Sequence, residues 1–408
     1  MFKKSLIMLL CLSLVACAFL TGCGKDSKKD TNKDNTESSD TAATKPNYKV
    51  EYFDGDDGVY AEVNGETVSS DEFKYFLMMQ MYSDQSVAGE DAGKDFWTDG
   101  KIKSAMDNAL NQAVLMYVYK SGAVDAGIEF TDDDQKTIDS NIDSAKQYYG
   151  EDMYNLQLEG MGITEDMYKN FSTLSMYANK WYEKFSADAV SDEDISKTFH
   201  KDYVKAKHIL IKKTNDDGTD VSADAYTKIE DIKKQLDGGA DFDTLMNENS
   251  EDPGLQNAPN GYVFTKGQMV QEFEDAAFKL EPGQISDIVE SNYGYHILMK
   301  VELTDDDLNE TTSDSSGQQV TVKETIKSSL ASDKFTQRIE DVKSKATVKV
   351  NKKEENSFKK NAEKLYNDFS AKMNEISQKL QAQQQAAQGS QDATSSTGDG
   401  SSADNSAE

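Results

Sequence analysis

Two of the three histidines in this chain, His208 and His296, stand in matching His-Ile-Leu triplets at the two ends of one block of about a hundred residues. Paired imidazoles can be oriented by a nearby carboxylate and can help to polarise a reacting group. The run Ser250-Glu251-Asp252 lies between them and contains two carboxylates. The third histidine, His200, has no motif around it and is expected to be structural.

Both triplets lie in segments whose apolar and polar residues alternate. Residues 204–211 and 295–301 have the pattern of half-buried β-strands. Strands near both ends of one block can pair at the centre of a sheet, and such pairing would bring the two imidazoles close together. Exchange of one hydrogen bond between the rings would then give the site a rigid floor.

Further residues of the block form a recognisable pattern. They are Ser250-Glu251-Asp252, Gly267-Gln268-Met269 with Phe273, the run from Ala276 to Ser286, and Tyr293-Gly294-Tyr295 before His296. In this pattern the block resembles the parvulin family of peptidyl-prolyl isomerases. The resemblance implies a domain that isomerises X-Pro peptide bonds without a cofactor.

The resemblance also implies roles for individual residues. The family's paired histidines, its proline pocket and the aromatic residue before that pocket correspond in turn to His208 with His296, Met269 with Phe273, and Phe264. Counting back from Phe264, Asp252 falls where other members hold Cys or Asp, so the resemblance implies a carboxylate that fixes the orientation of the histidines and polarises the twisting amide. Such a site needs no nucleophile, because it grips the proline ring, favours the twisted amide and excludes the water that solvates the planar amide.

Other interpretations of these residues stay open. Met269 and Phe273 are spaced i, i+4 and could both be helix core, while Asp252-Pro253-Gly254 could be an ordinary turn. A zinc site formed by His208, His296 and Asp252 is a further alternative, although the local spacing resembles no zinc motif. No metal is therefore expected.

The chain departs from the parvulin pattern at the wall of the pocket. Many members have Gly-Gly-x-Leu-Gly-x-Phe there, whereas this chain has Pro259-Asn260-Gly261-Tyr262-Val263-Phe264. A binding-only chaperone with a catalytically silent parvulin fold is therefore the alternative function. Lys212-Lys213 is soon followed by Asn215-Asp216-Asp217, and Arg338 is the only arginine, so no preference for phosphorylated substrates is expected.

The first residues have the layout of an exported protein. Lys3-Lys4 precedes an uncharged apolar run from Leu6 to Leu20, as in a secretory signal. The run is short for a transmembrane span, which needs about 20 residues. Leu20-Thr21-Gly22-Cys23 looks like a bacterial lipobox, which implies a lipid on Cys23; a cleaved signal with a free Cys23 is the alternative. Because Cys11 and Cys17 would be removed with the signal, no intrachain disulfide is expected.

The predicted fold class is α+β, with a helical chaperone lobe built from two segments of the chain and a parvulin domain inserted between them. In this organisation the chain resembles foldases of the PrsA and SurA type. The predicted regions are a signal peptide at 1–22, a disordered tether at 23–56, a helical domain at 57–200, the isomerase domain at 203–303, a C-terminal helical segment at 318–385, and a disordered tail at 386–408.

Local signals inside the lobe predict individual elements. Asn64-Gly65 favours a hairpin turn, and Ser69 with Glu72 and Thr131 with Asp134 are candidate capping boxes. A last amphipathic helix, from Phe358 to Leu380, either packs on the lobe or pairs with another chain.

Apolar residues also recur at helical spacing, which indicates a core; a groove for unfolded chains is the alternative. They are Met106, Leu110, Ala113, Tyr117, Met167, Phe171, Leu174, Tyr177 and Trp181.

The formal net charge of −30 makes nucleic acid and anionic lipid poor partners. Basic clients or calcium would suit it better, although no EF-hand loop supports calcium. The expected protein is anchored by lipid at the extracytoplasmic face of the cell membrane, binds unfolded or partly folded exported proteins, and isomerises their X-Pro bonds. A solute-capturing lipoprotein is a third interpretation that only the lipobox supports. The oligomeric state stays open.

Overall fold

The computed structural model describes residues 47–395, apart from 57, 90–92, 94, 216 and 314–316. The predicted signal peptide, Cys23, most of the tether and the end of the tail lie outside the described residues. The chain divides into two compact units. The split unit comprises the chain up to Phe185 and from Lys334 onward, and the inserted unit comprises Ser186–Asp333.

The split unit contains a four-stranded sheet that the sequence analysis did not predict as such. Its strands in spatial order are β1 (Lys49–Phe53), β10 (Thr347–Asn351), β2 (Val59–Val63) and β3 (Glu66–Ser69). β1 and β10 are parallel, whereas the other pairs are antiparallel. The predicted tether to residue 56 is therefore wrong at its end, because backbone pairing with β10 orders Lys49–Phe53.

The hairpin between β2 and β3 confirms the prediction from Asn64-Gly65. Both residues have positive φ, 52° and 84°, as a two-residue type I′ turn requires. The Asn64 side chain also accepts the Thr347 N–H at 2.9 Å. This hydrogen bond joins the turn to β10, which lies almost three hundred residues later in the chain.

The helices of the split unit begin largely where the sequence signals them. They are α1 (Ser70–Ala88), α2 (Asp99–Asp125), α3 (Asp132–Tyr149), α4 (Glu151–Met161), α5 (Glu165–Asp188) and α11 (Lys352–Ser395). Capping boxes form at Ser69 with Glu72 and at Thr131 with Asp134, as predicted.

The predicted apolar stripes are core residues. Phe171, Leu174 and Trp181 are buried in one cluster with Met106 and Tyr117, which confirms the core interpretation over the groove. Packing is close enough that a Cβ added at Gly122 would lie 2.2 Å from the Trp181 ring.

Helix α11 packs against the rest of the split unit, as the first of the two predicted alternatives describes. Phe358 and Ala362 are buried in the core cluster, and a Cβ at Gly160 of α4 would lie 3.3 Å from Ile376. The helix runs to Ser395, so the predicted tail from 386 is helical in its first ten residues. In the part of the chain that the structure describes, no helix combines the length and apolar character needed to cross a membrane.

The inserted unit contains a second four-stranded sheet. Its strands in spatial order are β5 (Tyr262–Thr265), β4 (Tyr203–Lys212), β7 (Gly294–Val301) and β6 (Val289–Glu290). The two predicted histidine strands are β4 and β7, and they pair antiparallel at the centre. This pairing confirms the main structural prediction made from the triplets.

Helices cover both faces of this sheet. On one face Ile209, Ile211 and Ile297 pack against α7 (Ser222–Asp237) and α8 (Phe242–Asn249). On the other face α9 (Gln271–Lys279) places its apolar side on the sheet. Successive residues of a strand point to opposite faces, so the even-numbered residues of β4, including position 208, lie on the face that α9 covers.

The inserted unit extends beyond the predicted isomerase block at both ends. α6 (Asp192–Asp202), a 3-10 helix (Asp305–Asn309), the hairpin of β8 (Thr311–Ser313) and β9 (Gln319–Thr321), and the first part of α10 (Val322–Ser344) belong to it. Ile195, Phe199, Leu308 and Val322 form a core of their own here. The helical lobe therefore does not extend to residue 200 as predicted.

Candidate active site

His208 and His296 lie side by side on the α9 face of the inserted sheet. His208 is paired in register with Leu298, and His296 with Leu210, so the two histidines are diagonal neighbours on adjacent strands. Their ring centroids are 5.5 Å apart, with the planes tilted by 48°. Both residues are buried, at 8% and 4% exposure. The sheet thus brings together the two imidazoles that the sequence placed far apart.

The hydrogen bond expected between the two imidazoles is not formed. The Nδ1 atom of each ring is buried and has no hydrogen-bond partner among the described residues. The prediction of a directly bonded histidine pair was therefore wrong, and other side chains orient the rings.

Asp252 lies beside His208, as its motif position predicts. Its Oδ2 atom is 3.8 Å from His208 Nε2, and its Oδ1 accepts the Gly254 N–H at 3.1 Å. The preceding loop is attached to β4, because Ser250 Oγ accepts the Leu210 N–H at 3.1 Å. Asp252 therefore belongs both to a turn and to the histidine site, so the two interpretations of this residue are compatible.

Burial makes both imidazoles neutral at pH 7. Burial lowers the pKa of His208, and the nearby Asp252 carboxylate partly offsets this lowering. Burial, with the neighbouring His208, lowers the pKa of His296 to about 4. Each neutral ring has one N–H donor and one acceptor nitrogen to offer to a polar group.

The stability of the inserted unit is expected to fall as the pH is lowered from about 6.5 to 4. Over this range the unfolded chain binds a proton at His296, whose pKa is then about 6.5, whereas the folded chain does not. Acid therefore favours unfolding, by on the order of 3 kcal/mol at pH 4. We would follow urea unfolding through the backbone NMR signals of β4 and β7. In the His296→Gln variant the free energy of unfolding should fall less steeply between pH 6.5 and 4. An equally steep fall in the wild type and the variant would contradict the low pKa of His296.

An aromatic cluster lies next to the two imidazoles. The Phe273 ring, in the first turn of α9, meets His208 edge-on at 5.1 Å and His296 at 5.6 Å. The ring centroids of Phe264 and Phe273 are 5.7 Å apart, and Phe264 is only 1% exposed, so it is a buried packing partner of Phe273. Phe273 therefore lies beside both histidines, and Phe264 packs against Phe273.

Met269 completes this side of the site from a loop. It precedes α9 and is half-buried against the same cluster as Phe273. Its N–H donates to Glu274 Oε1 at 2.9 Å, which fixes the loop to the helix. The alternative in which Met269 and Phe273 are one helix stripe was therefore wrong, because Met269 lies outside the helix.

Ser291 is a site residue that the sequence analysis missed. Its Oγ atom is hydrogen-bonded to His296 Nε2 at 2.8 Å and also accepts the Tyr293 N–H at 3.1 Å. Ser291 itself is 4% exposed. A serine five residues before a histidine is not a distinctive signal, and only the turn into β7 brings the two side chains together.

The Ser291→Ala variant is expected to lower kcat for isomerisation roughly 3–10-fold, because His296 Nε2 loses its partner in a buried site. The neighbouring Asn292 side chain is exposed, so Asn292→Ala is the matched control. We would measure both on an X-Pro peptide. Wild-type kcat in a folded Ser291→Ala protein would show that the serine does not orient the ring.

The remaining predicted alternatives concern metal and the third histidine. Within the described ranges, no group of three or more His, Cys, Asp or Glu side chains is arranged to hold a metal ion. His200 is exposed and lies 2.9 Å from Asp305 on the flank of the inserted unit. It therefore takes no part in the histidine pair.

The comparison with known protein families agrees with this geometry. Residues 194–304 match the family described as PPIC-type PPIASE domain. This part of the chain is therefore a parvulin-type peptidyl-prolyl isomerase domain, and the mixed α and β fold agrees with that class.

The curated relatives are foldases. The chain is 38% identical over 169 residues to foldase protein PrsA of Geobacillus sp. (strain WCH70). The matched region is 40% of this chain and 54% of that protein. It is 36% identical over 179 residues to foldase protein PrsA of Staphylococcus aureus (strain bovine RF122 / ET3-1), covering 42% and 53%. The chain thus spans about half the length of the curated relatives it matches.

Solved structures are also similar to this chain. The peptidylprolyl isomerase PrsA of Bacillus anthracis is 27% identical, over 58% of this chain and 95% of that chain, with a TM-score of 0.26. The corresponding protein of Bacillus cereus is 24% identical, over 71% and 92%, with a TM-score of 0.30.

Proposed function

We propose that this chain is an extracytoplasmic foldase that binds unfolded exported proteins and catalyses cis/trans isomerisation of their X-Pro bonds. The observation that carries the proposal is the pair of buried, neutral imidazoles beside the Asp252 carboxylate and the Phe273 ring, in a domain of the parvulin family. His208, Asp252 and His296 are the proposed catalytic residues. Phe264, Met269 and Phe273 are the proposed substrate-binding residues.

The proposed mechanism acts on the barrier to rotation. Rotation about a peptide bond costs about 18–20 kcal/mol because the planar amide is resonance-stabilised. The Phe273 ring would hold the proline ring by apolar contact beside the imidazoles. A buried site removes water from the planar amide, and fixed polar groups then favour the twisted amide, whose nitrogen and oxygen have lost conjugation. No bond to the protein forms or breaks.

The split unit is the proposed binding part of the foldase. The hydrophobic core of this unit is formed by its own buried side chains, so unfolded chains would bind to its surface and not to its apolar interior. The strongly negative net charge would favour clients that carry basic segments. A binding-only chaperone with a silent isomerase domain is the second candidate, because Tyr262 alters the wall of the pocket.

Refolding of a model protein whose slow phase is X-Pro isomerisation separates the two candidates. A catalyst should accelerate that phase when present at far below the concentration of the refolding protein, since each molecule acts repeatedly. A binding-only chaperone would reduce aggregation at equal concentration and leave the slow rate unchanged. The second result, obtained with folded protein, would overturn the isomerase proposal.

We also propose that a lipid on Cys23 anchors the protein to the cell membrane. The support is the run Leu20-Thr21-Gly22-Cys23 after an uncharged apolar segment. In a bacterial host, the wild type should incorporate labelled palmitate and sediment with membranes, whereas Cys23→Ser should do neither. Equal membrane association of the two proteins would overturn the anchor.

A further inference from the structure

Tyr262 stands at an unusual place beside the candidate site. It is the first residue of β5 and is paired in register with Ala206 of β4. Because Ala206 and His208 are two residues apart on that strand, Tyr262 lies on the same face of the sheet as His208. The centroid of its ring is 5.7 Å from that of the His208 imidazole. In the Gly-Gly-x-Leu-Gly-x-Phe pattern, aligned on Phe264, a glycine would occupy this position. A glycine has neither a ring nor a hydroxyl, so the contacts of Tyr262 distinguish this chain from that pattern.

The Tyr262 hydroxyl holds one oxygen of the Asp252 carboxylate. It donates to Oδ2 at 2.6 Å, while Oδ1 accepts the Gly254 N–H. Oδ2 is also the atom that lies 3.8 Å from His208 Nε2. That distance is too long for a hydrogen bond, and His208 is neutral at pH 7, so the imidazole holds Oδ2 only weakly. The phenol is thus the group that fixes this oxygen.

The surrounding backbone leaves room for the tyrosine. A Cβ at position 254 would lie 2.2 Å from the Tyr262 hydroxyl, so the glycine there accommodates the phenol. Gly261 has a φ of 98°, and a Cβ there would lie 2.8 Å from the Ala206 carbonyl oxygen. This glycine lets β5 approach β4 directly before Tyr262. Two glycines therefore permit the position that the phenol takes.

We propose that Tyr262 is a positioning residue that holds the Asp252 carboxylate against His208 and acts on the isomerisation only through Asp252. The inference rests on the proposed isomerase function. A hydrogen bond to a charged acceptor is stronger and shorter than one between neutral groups, which suits it to fix a carboxylate. Without the hydroxyl, Oδ2 would turn toward water and leave the histidine.

The kinetic test removes the hydroxyl and keeps the ring. Tyr262→Phe should lower kcat for an X-Pro peptide about tenfold and change KM less than twofold. In an Asp252→Ala background the same change should have no further effect, because the group through which it acts is gone. Tyr226→Phe is the matched control, since Tyr226 contacts Tyr295 on the opposite face of the sheet. Wild-type kcat in Tyr262→Phe, or an equal loss in both backgrounds, would overturn the proposal.

A second variant tests the same contact in case Tyr262→Phe does not fold. Gly254→Ala places a methyl group on the hydroxyl while the tyrosine remains, so it should lower kcat in the same direction. Unchanged kcat in a folded Gly254→Ala protein would count against the positioning role.

An NMR titration of His208 tests the proposal without relying on catalysis. The groups that face this imidazole are Asp252 from the loop after α8, Tyr262 from β5, His296 from β7, and the uncharged Phe273 from α9. The carboxylate raises the pKa of His208, so releasing it should lower the titration midpoint. Tyr262→Phe should therefore shift the midpoint toward that of Asp252→Ala, and the double variant should match Asp252→Ala.

The two readouts separate the two claims. If the wild type fails to isomerise peptides but Tyr262→Phe still shifts the His208 midpoint, the proposed function is refuted and the positioning by Tyr262 stays supported. Active wild-type protein with an unchanged midpoint and unchanged kcat in Tyr262→Phe would refute the positioning alone.

Discussion

The double variant His208→Ala, His296→Ala is expected to lower kcat/KM for X-Pro isomerisation on the order of 100-fold. Both rings lie in the site and both contact Phe273, the proposed proline-binding residue, so removing them takes away the polar groups beside that residue. The single variants should each lose most of this activity, because residues that act as a unit are not additive. A continuous assay of a short X-Pro peptide measures the effect.

The third histidine supplies the control. His200→Ala removes an exposed imidazole that pairs with Asp305 and should leave kcat/KM unchanged. Because two buried rings are replaced by small residues, a His208→Gln, His296→Gln variant of similar volume should be tested beside the alanine pair. Full activity in either folded double variant would show that the catalytic site lies elsewhere.

The Lys205→Ala variant is expected to destabilise the inserted unit by roughly 3–5 kcal/mol, the largest effect on stability that we predict. Lys205 Nζ lies 2.6 Å from Asp307 Oδ1 and 2.8 Å from Glu310 Oε1, and the Lys205 side chain is 8% exposed. Burial alone would lower the pKa of Lys205, but the two carboxylates raise it. Removing the lysine leaves the buried Asp307 charge without its partner, which is the costly half of breaking a buried ion pair.

Lys207→Ala is the matched control for this experiment. Lys207 is on the same strand and pairs with Asp243, but that carboxylate is 49% exposed, so a loss of about 1 kcal/mol or less is expected. Both tryptophans, Trp97 and Trp181, lie in the split unit, so tryptophan fluorescence does not report on the inserted unit. Hydrogen exchange of the β4 amides does. Equal protection in the two variants would contradict the expected role of Lys205.

Local signals in the sequence account for much of the fold. The alternation of residues 204–211 and 295–301 predicted β4 and β7, and their shared position at the ends of one block predicted the central pairing. The turn at Asn64-Gly65 and the Ser69 capping box depend on neighbouring residues alone, and each formed where predicted. Such features need no knowledge of the rest of the chain.

Long-range pairing could not be predicted in the same way. β1 has the sequence Lys-Val-Glu-Tyr-Phe and directly follows a polar segment, so nothing in it indicates a partner almost three hundred residues away. It becomes a strand because β10 offers it a parallel edge. The predicted tether included β1 for this reason.

The site also combines features that the sequence predicted with features that it could not predict. Motif positions placed His208, His296, Asp252 and Phe273 together, and in the structure His208 lies next to each of the other three. Ser291 was missed and the imidazole hydrogen bond was predicted wrongly, because both depend on side-chain directions across separate loops. Ring orientation at such a site is decided by partners that no short sequence pattern contains.

Exchange NMR of an X-Pro peptide tests the central claim most directly. The cis and trans forms give separate signals, and uncatalysed exchange takes roughly tens to hundreds of seconds. Catalytic amounts of the wild-type protein should make the two signals exchange within about a second, while the signals of His208, Phe273 and Met269 shift. Folded protein that leaves the exchange rate unchanged would contradict isomerase activity, and faster exchange without shifts at those residues would contradict the assigned site.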